Sequence, residues 1–545
     1  MTITRLLITS SLLLSLIKPV QATNEPSKSV RQDYTSTDTD EPVEKQEVTF
    51  SIWEFRITGN TLLDPSMLEK TVYPFLGAGK TIEDVDAAVI ALQILYKDNG
   101  YPTVLVNVPQ QDVSSSIVQL DVIQGKVDRL GVSGSRYFSL EKIKLKVPAL
   151  AVDEVPYLPD VQDQVQALNS SNPDMSVTPI FRPGRTPGTV SVDLRVKDQL
   201  PFHGSLELNG RNTAGTTRTR LIANASYGNL WLKSHSVSLT YQTSPEDTDE
   251  VRVLVGTYVL PVSDDNDRLA LYALRSDSET GVATGGAISV VGKGTIAGAR
   301  WVNMLHSETR YFHSLVLGAD YKDFDEVIGL EDADSLTTPI SYTIFSFEYN
   351  ATALGLSNTA SFSGGIHFAP RALGNNEIEF ENKRFEANPN FAYLSADFRD
   401  EYVFDNGIRL RGAITGQLAN QALVSNEQFS VGGAESVRGY YESQILADDA
   451  LRASIELQAP DFESLTGRGF SEFHFKAFID GSISRLHEPL PDTDVQEEIS
   501  GAGVGLRFAT RKSFYLSADV AYPLKENKTV EKGDVRVHFL LRGAF

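Results

Sequence analysis

The chain has 545 residues, a formal net charge of -22 and no cysteine. It is too long for one ordinary domain. Its acidity (pI about 4.9) argues against a nucleic-acid partner, which needs a basic face. The missing thiols exclude a disulfide framework, a thiolate nucleophile and a Cys-ligated metal site. A mean hydropathy of -0.17 looks water-soluble, but that average hides β-barrels, in which only every second strand residue meets lipid.

The chain opens on "MTITRLLITSSLLLSLIKPVQA": Arg5, an apolar run from Leu6 to Ile17, then Val20-Gln21-Ala22 with small residues where a signal peptidase reads. This pattern predicts a secretory signal over residues 1–22, cleaved after Ala22. Lys18 and Pro19 end the run before it is long enough to span a bilayer. Later stretches all fall short of 18 consecutive apolar residues, so any membrane crossing is expected in strands. Residues 23–47 are rich in Ser, Thr, Asp, Glu and Pro and read as a disordered linker.

An internal repeat follows. "FRITGN" (55–60) matches "LGVSGS" (130–135), and "IVQLDVIQGKV" (117–127) matches "TVSVDLRVKDQ" (189–199). The units, 48–126 and 127–199, are each about 75 residues, the size of a supersecondary module. The first reads β-α-α-β-β. A strand is expected at Ile52–Thr58 and a short helix at Pro65–Phe75, with Asp64 as its cap. A second helix is expected at Ile82–Asn99, where Ile82, Val85, Val89, Leu92 and Tyr96 recur at three- and four-residue steps. Thr81 caps it with Asp84 three residues on, and Gly100 ends it in a left-handed turn. "TVLVNVP" and "SIVQLDVIQG" then alternate as strands. The second unit repeats this with a Pro-rich middle and a helix near Val161–Asn169.

Beyond Leu200 the helical period vanishes. Sixteen alternating segments are expected, starting near 202, 217, 235, 250, 267, 294, 309, 340, 357, 388, 408, 449, 470, 499, 512 and 534. In "LRASIELQAP", Leu451, Ala453, Ile455 and Leu457 alternate with Arg452, Ser454, Glu456 and Gln458. In "DVRVHFLLRGAF", Val535, Val537, Phe539, Leu541 and Phe545 share one face, and Arg536, His538 and Arg542 the other. A soluble sandwich also alternates, but an even number of strands after a signal peptide favours a transmembrane barrel over 200–545.

One loop stands out. "VGGAESVRGY" (431–440) places Arg438 on a glycine-flanked stretch within the long connection 420–448, between the eleventh and twelfth strands. Taken alone it fits an anion site, an active-site loop or a structural plug. Other motifs fail. "GAGVG" (501–505) is followed by a strand period, and "GKGT" (292–295) lacks P-loop spacing. The eight His show no paired metal spacing on a helix. The pair Glu497-Glu498 falls in a loop-like stretch.

Two small modules, a sixteen-strand pattern, "VRGY" and a terminal Phe together resemble the outer-membrane transporters of two-partner secretion, the haemolysin secretion/activation type within the POTRA-plus-barrel superfamily. The stretch 178–212 resembles that family's passage from the second module into the first barrel strand, and "DGSIS" after "FKAFI" (475–484) resembles its Phe-x-Asp motif. The resemblance implies an all-β 16-stranded barrel in the bacterial outer membrane with two periplasmic POTRA modules. It implies a monomeric pore, without enzymatic activity, cofactor or metal, that exports an unfolded β-helical exoprotein (haemolysin or adhesin). The barrel-assembly machinery and periplasmic chaperones are implied partners in biogenesis.

Residue by residue, the resemblance assigns Val437, Arg438, Gly439 and Tyr440 to a loop folded back into the barrel. Arg438 is expected to meet an inward-facing Asp480, two residues after Phe478. Strand phase agrees: Phe473, Phe475, Ala477 and Ile479 take the outer face, and His474, Lys476, Phe478 and Asp480 the inner. Phe545 is the expected barrel-assembly signal. The edge strand with Val104, Val106 and Val108 is the candidate client site, although these valines also fit the module's own core. The family's N-terminal plug helix is not expected in 23–47, which is short and rich in Thr, Asp and Pro. The rival readings are an insertase of the same superfamily, a passive porin and a barrel enzyme, the last without a visible Ser/His/Asp constellation.

Overall fold

The computed structural model describes residues 49–262, 267–278, 281–283, 289–305, 310–328, 336–462, 470–491, 493–510 and 513–545. The expected cleavage after Ala22 and the linker at 23–47 lie outside the described residues. The chain divides into two units, residues 1–200 and 201–545.

The first unit holds both repeats. The first comprises β1 (Phe50–Ile52), β2 (Glu54–Thr58), α1 (Pro65–Val72), β3 (Gly77–Lys80), α2 (Ile82–Asp98), β4 (Val104–Asn107) and β5 (Ile117–Gln124). β5 is the central strand of a three-stranded sheet, parallel to β2 and antiparallel to β4. The expected first helix ends at Val72 and passes into a 3-10 turn at Tyr73–Phe75, because Pro74 supplies no N–H. The Asp64 side chain accepts the Ser66 N–H at 2.8 Å. The Thr81 N–H donates to Asp84 at 3.0 Å and holds that carboxyl below its usual range. Val85, Ala88, Leu92 and Tyr96 bury one face of α2. Burial pushes the Tyr96 hydroxyl up to about 12, and it donates to Asn60 at 2.7 Å.

The second repeat comprises β6 (Lys126–Ser133), α3 (Leu140–Leu145), α4 (Leu158–Ser171), β7 (Met175–Pro183) and β8 (Thr189–Asp198), with β8 central between β6 and β7. One shared residue carries the repeat. Gly59 and Gly134 both have φ near +80 to +89°, and a Cβ on either would meet a carbonyl oxygen, of Val122 or Val196, at 2.4 Å. Only glycine lets the first strand of each module leave the sheet so close to the central one.

The client candidates need correction. Val104 and Val106 are buried in the first module's own core, and Val108 packs partly against it. The period of two sends Leu105 the other way, where it is 53% exposed on the free edge strand.

The second unit is a closed antiparallel barrel. Its strands are β9 (Phe202–Asn209), β10 (Arg220–Leu230), β11 (His235–Thr243), β12 (Val251–Pro261) and β13 (Asp267–Ser278). A small hairpin, β14 (Gly281–Ala283) and β15 (Ser289–Val291), precedes β16 (Lys293–Met304), β17 (Tyr311–Ile328), β18 (Leu336–Leu354) and β19 (Asn358–Phe368). A short helix, α5 (Glu377–Lys383), leads to β20 (Ala392–Val403) and β21 (Arg409–Ala419). A second hairpin, β22 (Phe429–Val431) and β23 (Ile445–Ala447), precedes β24 (Asp449–Gln458), β25 (Phe470–Arg485), β26 (Gln496–Thr510), β27 (Phe514–Pro523) and β28 (Arg536–Ala544).

The two hairpins apart, sixteen strands form the wall, and β28 pairs with β9 to close it. Outward residues such as Leu254, Phe347, Ile366, Phe398, Ile455, Phe475 and Ile479 are exposed, as a lipid-facing band requires. None of the described helices is long and apolar enough to cross a membrane. Glu497 and Glu498 lie within β26, not in a loop, and Glu498 pairs with Lys525. "GAGVG" is likewise part of β26.

Candidate functional site

The connection 420–448 folds into the barrel and is held at its tip and at its root. At the tip, Gly432, Gly433 and Gly439 all have φ between +103 and +110°, which a side chain rarely tolerates. The turn is tied by Gly433 N to Val437 O at 3.2 Å and Ser436 N to Gly433 O at 3.1 Å. Val437 and Tyr440 are fully buried, packed with Val431, Ile445, Ile499 and Val530. The Tyr440 hydroxyl donates toward the carbonyls of Lys525 (2.6 Å) and Ser500 (3.0 Å).

Arg438, 6% exposed, meets β25. Its Nε and Nη2 grip Asp480 at 2.7 and 2.9 Å, and its backbone N–H adds a third bond at 3.1 Å. Nη1 reaches Glu456 of β24 at 2.8 Å and Asp519 of β27 at 3.5 Å. The Phe478 ring lies under the guanidinium, 3.3 Å from Cζ to its centroid. Lys476 bridges the same carboxylates, at 2.9 Å to Asp519 and 3.4 Å to Glu456. Ser454 donates to Asp480 at 2.6 Å.

A buried guanidinium is tolerated only when its donors are matched, and here a planar fork meets a carboxylate with two charge-assisted bonds. Removing one partner of such a buried pair typically costs about 3–5 kcal/mol, because the other charge is left stranded.

β26 makes the space. A Cβ at Gly501 would lie 2.0 Å from the Arg438 carbonyl oxygen, one at Gly503 2.5 Å from the Phe478 ring, and one at Gly505 2.0 Å from Asp519. The alternating glycines therefore form a groove in the inner wall into which the loop tip sinks.

At the root the chemistry changes. Leu423 and Val424 are fully buried with Phe380 of α5, Phe391, and inward residues of β12–β18 including Val253, Leu274, Phe324 and Tyr342. Buried polar groups frame this apolar core. Asp448 accepts from Arg384 at 2.6 Å, Leu423 N at 2.9 Å and His487 N at 2.8 Å. Glu427 pairs with Lys322 and accepts from the hydroxyls of Tyr342 and Tyr393. Among the described residues no His, Asp and Glu group has the geometry of a metal site.

The model of the haemolysin secretion/activation proteins ShlB/FhaC/HecB matches residues 188–508, and that of the ShlB-type POTRA domain matches 50–125. The chain belongs to this family. It is an outer-membrane transporter of the two-partner secretion type, whose POTRA modules lie in the periplasm in this family. A curated relative, the outer membrane transporter CdiB of Dickeya dadantii, is 23% identical over 488 residues, covering 85% of this chain and 81% of its own. CdiB from Escherichia coli shares the fold with TM-score 0.59 and 18% identity over 93% of both chains. BamA from Haemophilus ducreyi lacking POTRA domains 1–3 shares it with TM-score 0.57 and 14% identity, over 91% of this chain and 100% of its own.

Within this transporter the structure brings Val437, Arg438, Gly439, Tyr440, Phe478 and Asp480 together in one buried cluster. Phe545 lies apart, packed over Gly204 at the end of β9. Sequence reasoning missed Glu456, Lys476 and Asp519 as partners. The inward phase of β24 and β25 marks Glu456 and Lys476 as charges needing compensation, so a signal was present. Neither Asp448 nor Glu427 carries a comparable signal.

Proposed function

We propose that the transporter accepts an unfolded, β-helical exoprotein of the haemolysin or adhesin class through its POTRA modules and passes it through the barrel lumen to the cell surface. Family membership implies a secreted protein partner. The observation that carries the pore reading is the loop 420–448, which occupies the lumen yet is held only by ion pairs, hydrogen bonds and packing. Such a plug is removable. Arg438 acts as its latch and Asp480 as the catch.

On the periplasmic side, the free edge of β4, with exposed Leu105, offers backbone groups that an extended client strand pairs with by β-augmentation. Phe545, the aromatic end of an alternating strand, serves as the assembly signal read by the barrel-assembly machinery, and periplasmic chaperones carry the chain there. The experiment is deletion of the transporter in its host. The exoprotein is expected to accumulate in the periplasm while other outer-membrane barrels assemble normally. A general defect in barrel assembly with unimpaired export would support an insertase instead.

A further inference from the structure

Aromatic residues ring the lipid face of the barrel where its strands meet the periplasm, and the ring is not uniform. β9 starts at Phe202, directly after modules that lie in the periplasm in this family, so its first residues mark the periplasmic rim. Antiparallel order brings the turns 231–234 and 305–310 to the same rim. On β24–β27 this rim carries Phe462, Phe473, Phe508 and Phe514, whose successive ring centroids lie 5.5, 6.3 and 6.2 Å apart. A phenyl ring has no hydrogen-bonding atom and sits well among acyl chains.

Two other stretches of the rim are built differently. At the first, the rings of Trp231, His235 and Tyr258 form one cluster, with centroids 5.9, 6.2 and 5.6 Å apart. The Tyr258 hydroxyl is hydrogen-bonded to His235 Nδ1. His235 shares its face of β11 with exposed Val237 and Leu239, and Tyr258 its face of β12 with exposed Leu254, so the cluster looks toward lipid. The turn that presents it is strained. Trp231, Leu232 and Ser234 have φ between +54 and +62°, where large side chains are rare. Asn229 holds the turn: its carbonyl accepts from Leu232 N at 3.1 Å, and its side chain from Ser234 N at 2.9 Å. The strained turn leaves Trp231 68% exposed and sets exposed Lys233 two residues from the imidazole.

The second stretch repeats this chemistry on β17 and β18. The Tyr349 hydroxyl lies 3.2 Å from His313 Nδ1 and 2.6 Å from the Tyr311 hydroxyl. His313 shares its face with exposed Leu317, and Tyr349 with exposed Phe347. Exposed Arg310 directly precedes Tyr311. Each cluster therefore joins a cation, an imidazole and a phenol hydroxyl on a wall that is otherwise apolar. Polar atoms at that depth need partners, and the groups present there in a bilayer are lipid phosphates.

We propose that the two clusters are phospholipid-headgroup sites. Each takes the phosphodiester of one lipid of the periplasmic leaflet, with Lys233 or Arg310 as counter-ion and the His–Tyr pair as hydrogen-bonding partner, while the apolar wall beside it takes the acyl chains. The bound lipids fix the depth of β10–β12 and β17–β18 in the membrane. The chain's net charge of -22 repels phosphate on average, so the attraction is local to these turns.

The test is native mass spectrometry of the full-length protein in detergent and does not depend on export. The protein is titrated with dioleoylphosphatidylglycerol and, separately, with dioleoylglycerol, which lacks the phosphate. The wild type is expected to retain two phospholipids under conditions that strip the diacylglycerol. Lys233→Gln with His235→Leu is expected to retain one, and the further addition of Arg310→Gln with His313→Leu none, with heat-modifiable gel mobility showing folded barrels. Phe473→Leu, in the phenylalanine stretch, is expected to keep both. If the combined variants do not fold, Tyr258→Phe and Tyr349→Phe, which remove only the hydroxyls, are each expected to weaken retention of one lipid severalfold. Equal retention of the two lipids by the wild type, or wild-type retention by the folded variants, overturns the proposal. Displacement of the phospholipid by millimolar inorganic phosphate would reveal a site for free anions and overturns it as well.

Discussion

The two ends of the loop 420–448 are held by opposite means. The tip lies in a polar groove of β24–β28 and depends on one guanidinium shared among Asp480, Glu456 and Asp519. The root lies in an apolar core with α5 and β12–β18, where Leu423 and Val424 share many neighbours and the Arg384–Asp448 and Lys322–Glu427 pairs stand at its border. A charge network is directional and fails as a unit when its centre is removed. An apolar core yields by degrees. The tip is thus suited to release in one step, and the root to retain the loop as a hinge.

Substitutions break this contrast in order of effect. Arg438→Ala strands buried carboxylates and is expected to destabilise tip docking by about 3–5 kcal/mol. Secretion of the exoprotein should fall sharply while heat-modifiable gel mobility shows a folded barrel. Leu423→Ala leaves a cavity at the root and is expected to cost about 2–5 kcal/mol, read as a lowered melting temperature with the Arg438–Asp480 pair intact. Gly501→Ala forces the Arg438 carbonyl off the wall and should cost about 1–3 kcal/mol, read as an intermediate rise in pore conductance. Glu435→Gln removes a half-exposed partner of Arg211 and should by itself shift docking by less than about 1 kcal/mol, within error in the same recordings.

The contrast also governs what the sequence discloses. The sixteen strands were legible because most expose one face and bury the other, as "LRASIELQAP" does. The glycine-flanked loop singled out Arg438, the family likeness paired it with Asp480, and strand phase agreed by turning Phe478 and Asp480 to the inner wall. The root was hidden for a physical reason. β12 reads "VRVLVGTYVLP", apolar on both faces because Val251 and Val253 meet the inward loop core while Leu254 meets lipid. Alternation cannot say which face is which there. Arg384 and Asp448 are 64 residues apart on segments without periodicity, so nothing local pairs them. The burial of Val104 and Val106 shows the same limit, since a strand's period fixes alternation but not which side becomes core.

Hydrogen exchange across residues 420–448 in the wild type and in Arg438→Ala tests the central claim most directly. The account predicts that amides of 429–447 exchange more than ~100-fold faster in the variant, the equivalent of losing about 3 kcal/mol, while α5 and residues 422–424 keep their protection. Unchanged protection at the tip, or equal loss at tip and root, would contradict it.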